Sequence, residues 1–346
     1  MAKRKLSKHQ KKRLADKRQG AAERAISPSP GRSDSTPPLH PGRVITHFGA
    51  RALVEDANQQ LIQCALRQNL GKLVAGDKVL WHPDKEVGTG VIEQRQPRTQ
   101  LLTRPGFRGQ ARMVAANVDQ MVIVLGVEPG VHPDVIDRYL VAAHQQQLSC
   151  LLVINKMDLL PDPNDRAVID DLLAPYVSLT KQSNQLRALI FVSTQTGEGM
   201  SALQQAMASH ASVLVGPSGA GKSSLIKHMV PDQDIRIQSL SQATGLGRHT
   251  TSNSILYHCP HTPTPGLLID TPGVRQFDPT PMALEQLEQA YPDFAPFLGH
   301  CQFDNCTHDH EPKCAIIQAV EQDQIAYSRY QSFQRLRQNK PATQTP

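Results

Sequence analysis

Residues 216–224 read GPSGAGKSS and follow the apolar run ASVLVG at 211–216. No other stretch of the 346-residue chain restricts its fold as tightly. The spacing fits G-x-x-x-x-G-K-[ST], in which glycines let the backbone curl between a strand and a helix until several N–H groups face one anion. A helix starting at Lys222 adds the positive end of its dipole to the same point. The candidate phosphate-binding residues are Gly216, Pro217, Ser218, Gly219, Ala220, Gly221, Lys222, Ser223 and Ser224. Lys222 is placed to reach the β- and γ-phosphates of a nucleotide, and the Ser223 hydroxyl to bind Mg²⁺.

The surrounding pattern agrees with such a loop. Apolar runs at 119–127 (DQMVIVLGV), 150–155 (CLLVIN), 188–193 (ALIFVS), 211–216, 253–259 (NSILYHC) and 266–270 (GLLID) read as strands. Between them, 133–147, 165–176 and 199–210 have helical spacing. Strands alternating with amphipathic helices predict a mainly parallel sheet covered on both faces. Upstream, 43–67 and 73–95 hold short β-like runs broken by Gly and Asp turns, which suit a small barrel. Residues 101–117 read as an Arg-rich linker.

A second loop has a sharp chemical reading. Asn155, Lys156, Met157 and Asp158 follow a buried strand. A carboxylate at Asp158 can accept from both N1–H and the 2-amino group of guanine; adenine offers no such pair, so the wrong base leaves the carboxylate unsatisfied. Asn155 can tie this loop to the phosphate loop, the Lys156 stem can cover the base, and Ser193-Thr194 can support it from the next strand end. In LLIDTPG (267–273), Asp270 is suited to the Mg²⁺ shell and the Gly273 N–H to a γ-phosphate. Thr250 or Thr251 can complete the metal shell. Many GTPases place a water-orienting Gln directly after Asp-x-x-Gly. Here that residue is Val274, and His249 is the best chemical substitute.

The chain thus meets the base loop first, then base support, phosphate loop, threonines and Asp-x-x-Gly. In an open parallel sheet these groups sit on loops at the carboxyl ends of strands, so space and not chain order decides whether they meet. Cutting the usual order after Asp-x-x-Gly and joining the old ends gives the observed order. The chain reads as circularly permuted.

With GPSGAGKSS, GRHTT and DTPG in this permuted order, residues 43–330 resemble the small-ribosomal-subunit-dependent GTPases of the RsgA (YjeQ) family. After a basic tail (1–42), the resemblance implies an α/β fold with three parts: an OB-type β-barrel (43–103), a circularly permuted P-loop GTPase domain (104–277) and a helical zinc-binding domain (278–346). It implies GTP hydrolysis to GDP, with Mg²⁺, coupled in the cytoplasm to late maturation of the small (30S) subunit through 16S rRNA, by a monomer that the subunit stimulates. The C-terminal CQFDNCTHDHEPKC fits one structural zinc, because Cys301, Cys306, His308 and Cys314 make a closed tetrahedral set. His300 and His310 are rival nitrogen donors; the family pattern favours His308.

Charge and cysteine usage are consistent with that reading. Residues 1–42 hold 11 Lys and Arg against 3 Asp and Glu, a net of +8 in a chain whose total is +6. This apolar-poor arm reads as disordered when free and as polyanion-seeking, since clustered Lys and Arg release counterions from phosphate backbones. It lacks the apolar stretch of a signal peptide, and no run of 18 apolar residues suggests a membrane span. Cys64, Cys150 and Cys259 stand singly in strand-like runs and read as buried thiols of a reducing compartment. Two rival functions remain: a GTP-ordered rRNA-binding module with little catalysis, which Val274 favours, and an ATP-using enzyme, which Asp158 opposes.

Overall fold

A computed structural model of the chain describes residues 38–105, 111–230, 254–259, 264–271 and 279–338. Five strands come first: β1 (His40–Phe48), β2 (Arg51–Asp56), β3 (Leu61–Leu66), β4 (Lys78–Pro83) and β5 (Thr89–Arg95). Period-two alternation sends Ile62 and Cys64, Val79 and Trp81, and Ile92 to one side, where they meet Val44, Ala52, Val54 and Leu73. The strands close into a barrel in the order β1-β2-β3-β5-β4, with β3 and β5 parallel and β4 returning to β1 at Arg43–Lys78.

The Arg-rich stretch that reads as a linker is instead an antiparallel ribbon, β6 (Leu101–Pro105) with β7 (Ala111–Ala116). Leu102, Val114 and Ala115 are buried in the large central core, so the ribbon is held by packing that its sequence does not advertise. Arg98 clamps the barrel to this ribbon's approach, donating to both oxygens of fully buried Asp77 at 2.7 and 2.9 Å.

The central sheet contains β8 (Gln120–Gly126), β9 (Ser149–Asn155), β10 (Leu186–Phe191), β11 (Ala211–Val215), β12 (Ile255–Cys259) and β13 (Gly266–Asp270). Its order is β10-β9-β8-β11-β13-β12, parallel except for edge strand β12. β8 is buried along its whole length and β11 likewise, as expected of strands covered on both faces. Helices α1 (Pro133–Gln145), α2 (Pro163–Gln182), α3 (Met200–Met207) and α4 (Lys222–Met229) connect these strands. α2 runs six residues past the expected end, straight through Pro175. Proline inside a helix costs about 3 kcal/mol. Tyr176 and Leu179, one turn apart on the buried face, hold the helix against the core beyond that point. The barrel meets the sheet edge where the His258 ring and Glu55 lie 2.6 Å apart.

Residues 279–338 add α5 (Leu284–Gln289), a 3-10 turn (Pro292–Phe297), a cysteine-bearing loop, α6 (Ala315–Glu321) and α7 (Tyr327–Gln338). Tyr291, Phe294 and Phe333 pack with ring centroids 5.0–5.4 Å apart, and Val141 of α1 joins their cluster. At the seam lies Arg329, only 1% exposed. Its guanidinium donates to Asp293 at 2.7 and 3.0 Å, pairs with Asp137 of α1 and lies 4.4 Å from the Tyr291 ring centroid. Tyr176 of α2 donates to the same Asp137 at 2.9 Å. Burial opposes the charge on Arg329, but the two carboxylates outweigh it and hold the guanidinium protonated. The single cysteines Cys64, Cys150 and Cys259 are buried, and burial pushes the Cys64 and Cys259 thiols up to about 12 and about 11.

Candidate nucleotide and metal sites

Four strand ends carry the candidate chemistry along one edge of the sheet. β11 runs directly into the loop 216–221, and α4 begins at Lys222. Gly216 has φ +144°, and a Cβ there would run into the Val124 carbonyl of neighbouring β8. Gly221 has φ +89°, and a Cβ would strike the side-chain amide of Asn155. Glycine is therefore required at both positions by backbone shape and by space. The Lys222 ammonium donates to the carbonyls of Gly216 and Pro217, each at 2.8 Å, which folds it back over the loop mouth. Ser218, Gly219, Ser223 and Ser224 are exposed, while Ala220 is buried.

The two halves of the site are joined by a single side chain. Asn155, buried at the end of β9, donates its amide to the Ala220 carbonyl at 3.0 Å and so bridges from the base loop to the phosphate loop past the end of β8. Next to it, Lys156 takes a left-handed conformation, φ +67°, and donates to the Glu128 carbonyl at 3.0 Å. A 3-10 turn, Met157–Leu159, then presents Asp158, with Met157 buried beneath. Ser193 lies beyond β10, fully buried, and its hydroxyl donates to Asp158 Oδ1 at 2.5 Å. The Ser193 hydroxyl oxygen itself accepts the N–H groups of Gln195 and Thr196, each at 3.2 Å, and Thr194 is half-buried beside it. Asp270 closes β13, half-buried. His249, Thr250, Thr251, Gly273 and Val274 lie outside the described residues.

Sequence reasoning missed the loop after β8, although VLGVEPG carries a signal in its strand-ending glycine and Pro-Gly turn. It also missed Arg166 and Glu198, which contact the base loop and the Ser193 turn from outside any motif.

With this geometry in hand, comparison with known proteins is decisive. Residues 95–280 match the model of the family described as RsgA GTPase. The chain belongs to the RsgA GTPase family. Membership makes it a GTP hydrolase. Relatives named "Small ribosomal subunit biogenesis GTPase RsgA" include one from Chromohalobacter salexigens, 41% identical and matched over 97% of this chain and 98% of that one. Another, from Pseudomonas aeruginosa strain LESB58, is 40% identical over 99% of both. Among solved structures, YjeQ from Thermotoga maritima is 31% identical with TM-score 0.69, matched over 88% of this chain and all of that one. YloQ, whose title calls it a circularly permuted GTPase, is 25% identical with TM-score 0.65, over 90% of this chain and all of that one. The permuted order is thus a feature this RsgA GTPase shares with YloQ.

A second constellation sits after α5. The donor atoms of Cys301, Cys306, His308 and Cys314 all lie within 4.8 Å of one another. Cys301 and Cys314 sulfurs are 3.8 Å apart, and His308 Nδ1 is 3.6 and 3.3 Å from them. A tetrahedron with bonds of about 2.3 Å to sulfur has edges of about 3.8 Å, so the set fits one zinc-sized ion. His300 is exposed and His310 is 87% exposed, and neither joins the cluster. The other ring nitrogen of His308 faces Glu288 of α5 at 3.0 Å, which fixes the ring with Nδ1 towards the sulfurs. Burial is the main cause that pushes the Cys306 thiol up to about 12, so an arriving cation must displace its proton. Among the described residues no helix is long and apolar enough to cross a membrane.

Proposed function

We propose that this RsgA GTPase binds the small (30S) ribosomal subunit through 16S rRNA and hydrolyses GTP there, late in the subunit's maturation, as a cytoplasmic monomer that the subunit stimulates. The observation that carries the nucleotide half is the Asn155 bridge to Ala220, which draws the guanine carboxylate of Asp158 and the Gly216–Ser224 loop into one site. Relatives named for small-subunit biogenesis, matched nearly end to end, support the ribosomal half. Lys156 would shield the base, Ser193 and Thr194 would support it, and Lys222 would hold the β- and γ-phosphates. Ser223 and Asp270, with Thr250 or Thr251, would hold Mg²⁺, which supplies charge neutralisation at the phosphates. Gly273 would sense the γ-phosphate, and His249 would orient the attacking water. The Cys301, Cys306, His308 and Cys314 set would hold one structural zinc, with no position left for substrate.

Val274 stands where a water-orienting Gln is common, and this favours a second reading, a GTP-ordered rRNA-binding module with little intrinsic catalysis. Multiple-turnover phosphate release, with and without purified small subunits, separates the two. Stimulated turnover is expected. Stoichiometric binding without turnover, even with subunits present, would select the module instead.

A further inference from the structure

The base loop and the Ser193 turn end on different strands, yet a closed circuit of hydrogen bonds joins them. Asp158 Oδ1 receives the Ser193 hydroxyl at 2.5 Å. The Ser193 N–H in turn donates to the Glu198 carbonyl at 3.0 Å, closing the turn 193–198. Glu198's carboxylate pairs with Arg166, Nη1 to Oε1 at 3.1 Å and Nη2 to Oε2 at 3.3 Å. Arg166 completes the circuit by donating to the carbonyls of Met157, at 3.4 Å, and Leu160, at 3.0 Å, which bracket Asp158 in the chain. Its own backbone is anchored in the first turn of α2, where Asp162 caps the helix by accepting from Asn164 N–H at 2.8 Å.

We propose that Arg166, braced by Glu198, is a positioning residue for guanine: it fixes the orientation of the Asp158 carboxylate without touching the base. This rests on reading Asp158 as the guanine carboxylate. A carboxylate that must receive two donors side by side, N1–H and the 2-amino group, tolerates little rotation; one that receives N1–H alone, as from hypoxanthine, tolerates more. Loosening the loop therefore weakens guanine binding more than hypoxanthine binding. Arg166 and Glu198 are 39% and 40% exposed, so as an isolated ion pair they contribute little. Their effect comes through the two carbonyls and the turn they lock.

The test is equilibrium binding of GDP and IDP, which lacks the 2-amino group, to the full chain and to Arg166→Ala, Arg166→Lys, Glu198→Ala and Asp158→Ala. In Arg166→Ala the GDP:IDP preference should fall about threefold to tenfold, mostly through GDP. Arg166→Lys, able to keep one partner but not both, should recover part of it. Glu198→Ala breaks the same brace from its other end and carries the test should Arg166→Ala fold poorly. An unchanged preference in both alanine variants, or equal loss for GDP and IDP, overturns the positioning role while an Asp158→Ala loss of preference keeps the base reading standing. If Asp158→Ala itself keeps the preference, the base reading falls and the positioning role falls with it.

Discussion

Replacing Arg329 by Met would remove one cation from between two carboxylates and leave a side chain of similar length. Asp293 is partly exposed and can be hydrated, but Asp137 is fully buried, beside Tyr176 and the aromatic cluster. Breaking a buried pair from one side costs about 3–5 kcal/mol. Protonation of Asp137 sets a ceiling on that cost. Each pH unit above the unfolded carboxyl value near 3.9 adds about 1.4 kcal/mol, so the ceiling is about 5 kcal/mol at pH 7.5 and about 2 kcal/mol at pH 5.5. Burial already acts to raise the Asp137 carboxyl, and without Arg329 its chief opponent is gone. A carboxyl whose folded value lies above its unfolded value stabilises the fold below the unfolded value and loses that contribution as pH rises through the folded one. Arg329→Met should therefore cost more at pH 7.5 than at pH 5.5, each measured against the unsubstituted chain by urea denaturation. Adding Asp137→Asn should remove the pH dependence and return much of the stability. A cost under about 1 kcal/mol at pH 7.5, or the same cost at both values, would refute the buried-charge account.

Asp158→Asn should weaken GDP at least about tenfold and admit xanthine nucleotides, whose C2 oxygen needs a donor; unchanged GDP affinity in a titration would count against the base loop. Gly221→Ala should push a methyl into the Asn155 amide and break its bond to Ala220, lowering GDP affinity about tenfold with circular dichroism unchanged. Equal affinity would show that the bridge does not join the two half-sites. Glu288→Ala should loosen zinc about tenfold to a hundredfold in a chelator competition and alter the visible spectrum of the cobalt-substituted chain. Identical chelator curves would show that the His308 ring needs no such partner.

Where covalent spacing alone fixes geometry, the sequence was readable. Lys222 and Ser223 must follow a glycine turn, and Cys301, Cys306, His308 and Cys314 lie within one short loop, so their convergence needs little from the rest of the fold. Short β-like runs broken by Gly and Asp turns likewise marked the barrel, and continuous apolar runs marked β8 and β11. Other features depend on partners remote in sequence. Arg329 sits in the polar stretch SRYQSFQRLRQ, and its burial depends on Asp293 and on Asp137, 192 residues away. The β6–β7 ribbon is held by the burial of Leu102, Val114 and Ala115 in the central core, not by an amphipathic pattern. Arg166 lies eight residues beyond Asp158, outside any motif, and acquires its role only when α2 turns back over the loop. His249, Thr250, Thr251 and Gly273 lie outside the described residues.

The strand order has a consequence for how the chain is made. β8 is the first strand of the sheet to be synthesised, yet it ends up inside, with β9 and β10 added in order on one flank and β11, β13 and β12 on the other. Once residue 199 has been made, three consecutive parallel strands already carry Asn155, Asp158 and Ser193, while Lys222 does not yet exist. The nascent half-sheet can shape the base-reading loops before any phosphate grip is available. Until Ala211–Val215 arrives, the second edge of β8, apolar on both faces, stands open to any neighbouring strand. A chain interrupted near residue 210 is thus a template for aggregation, and rapid delivery of the β11 strand closes it.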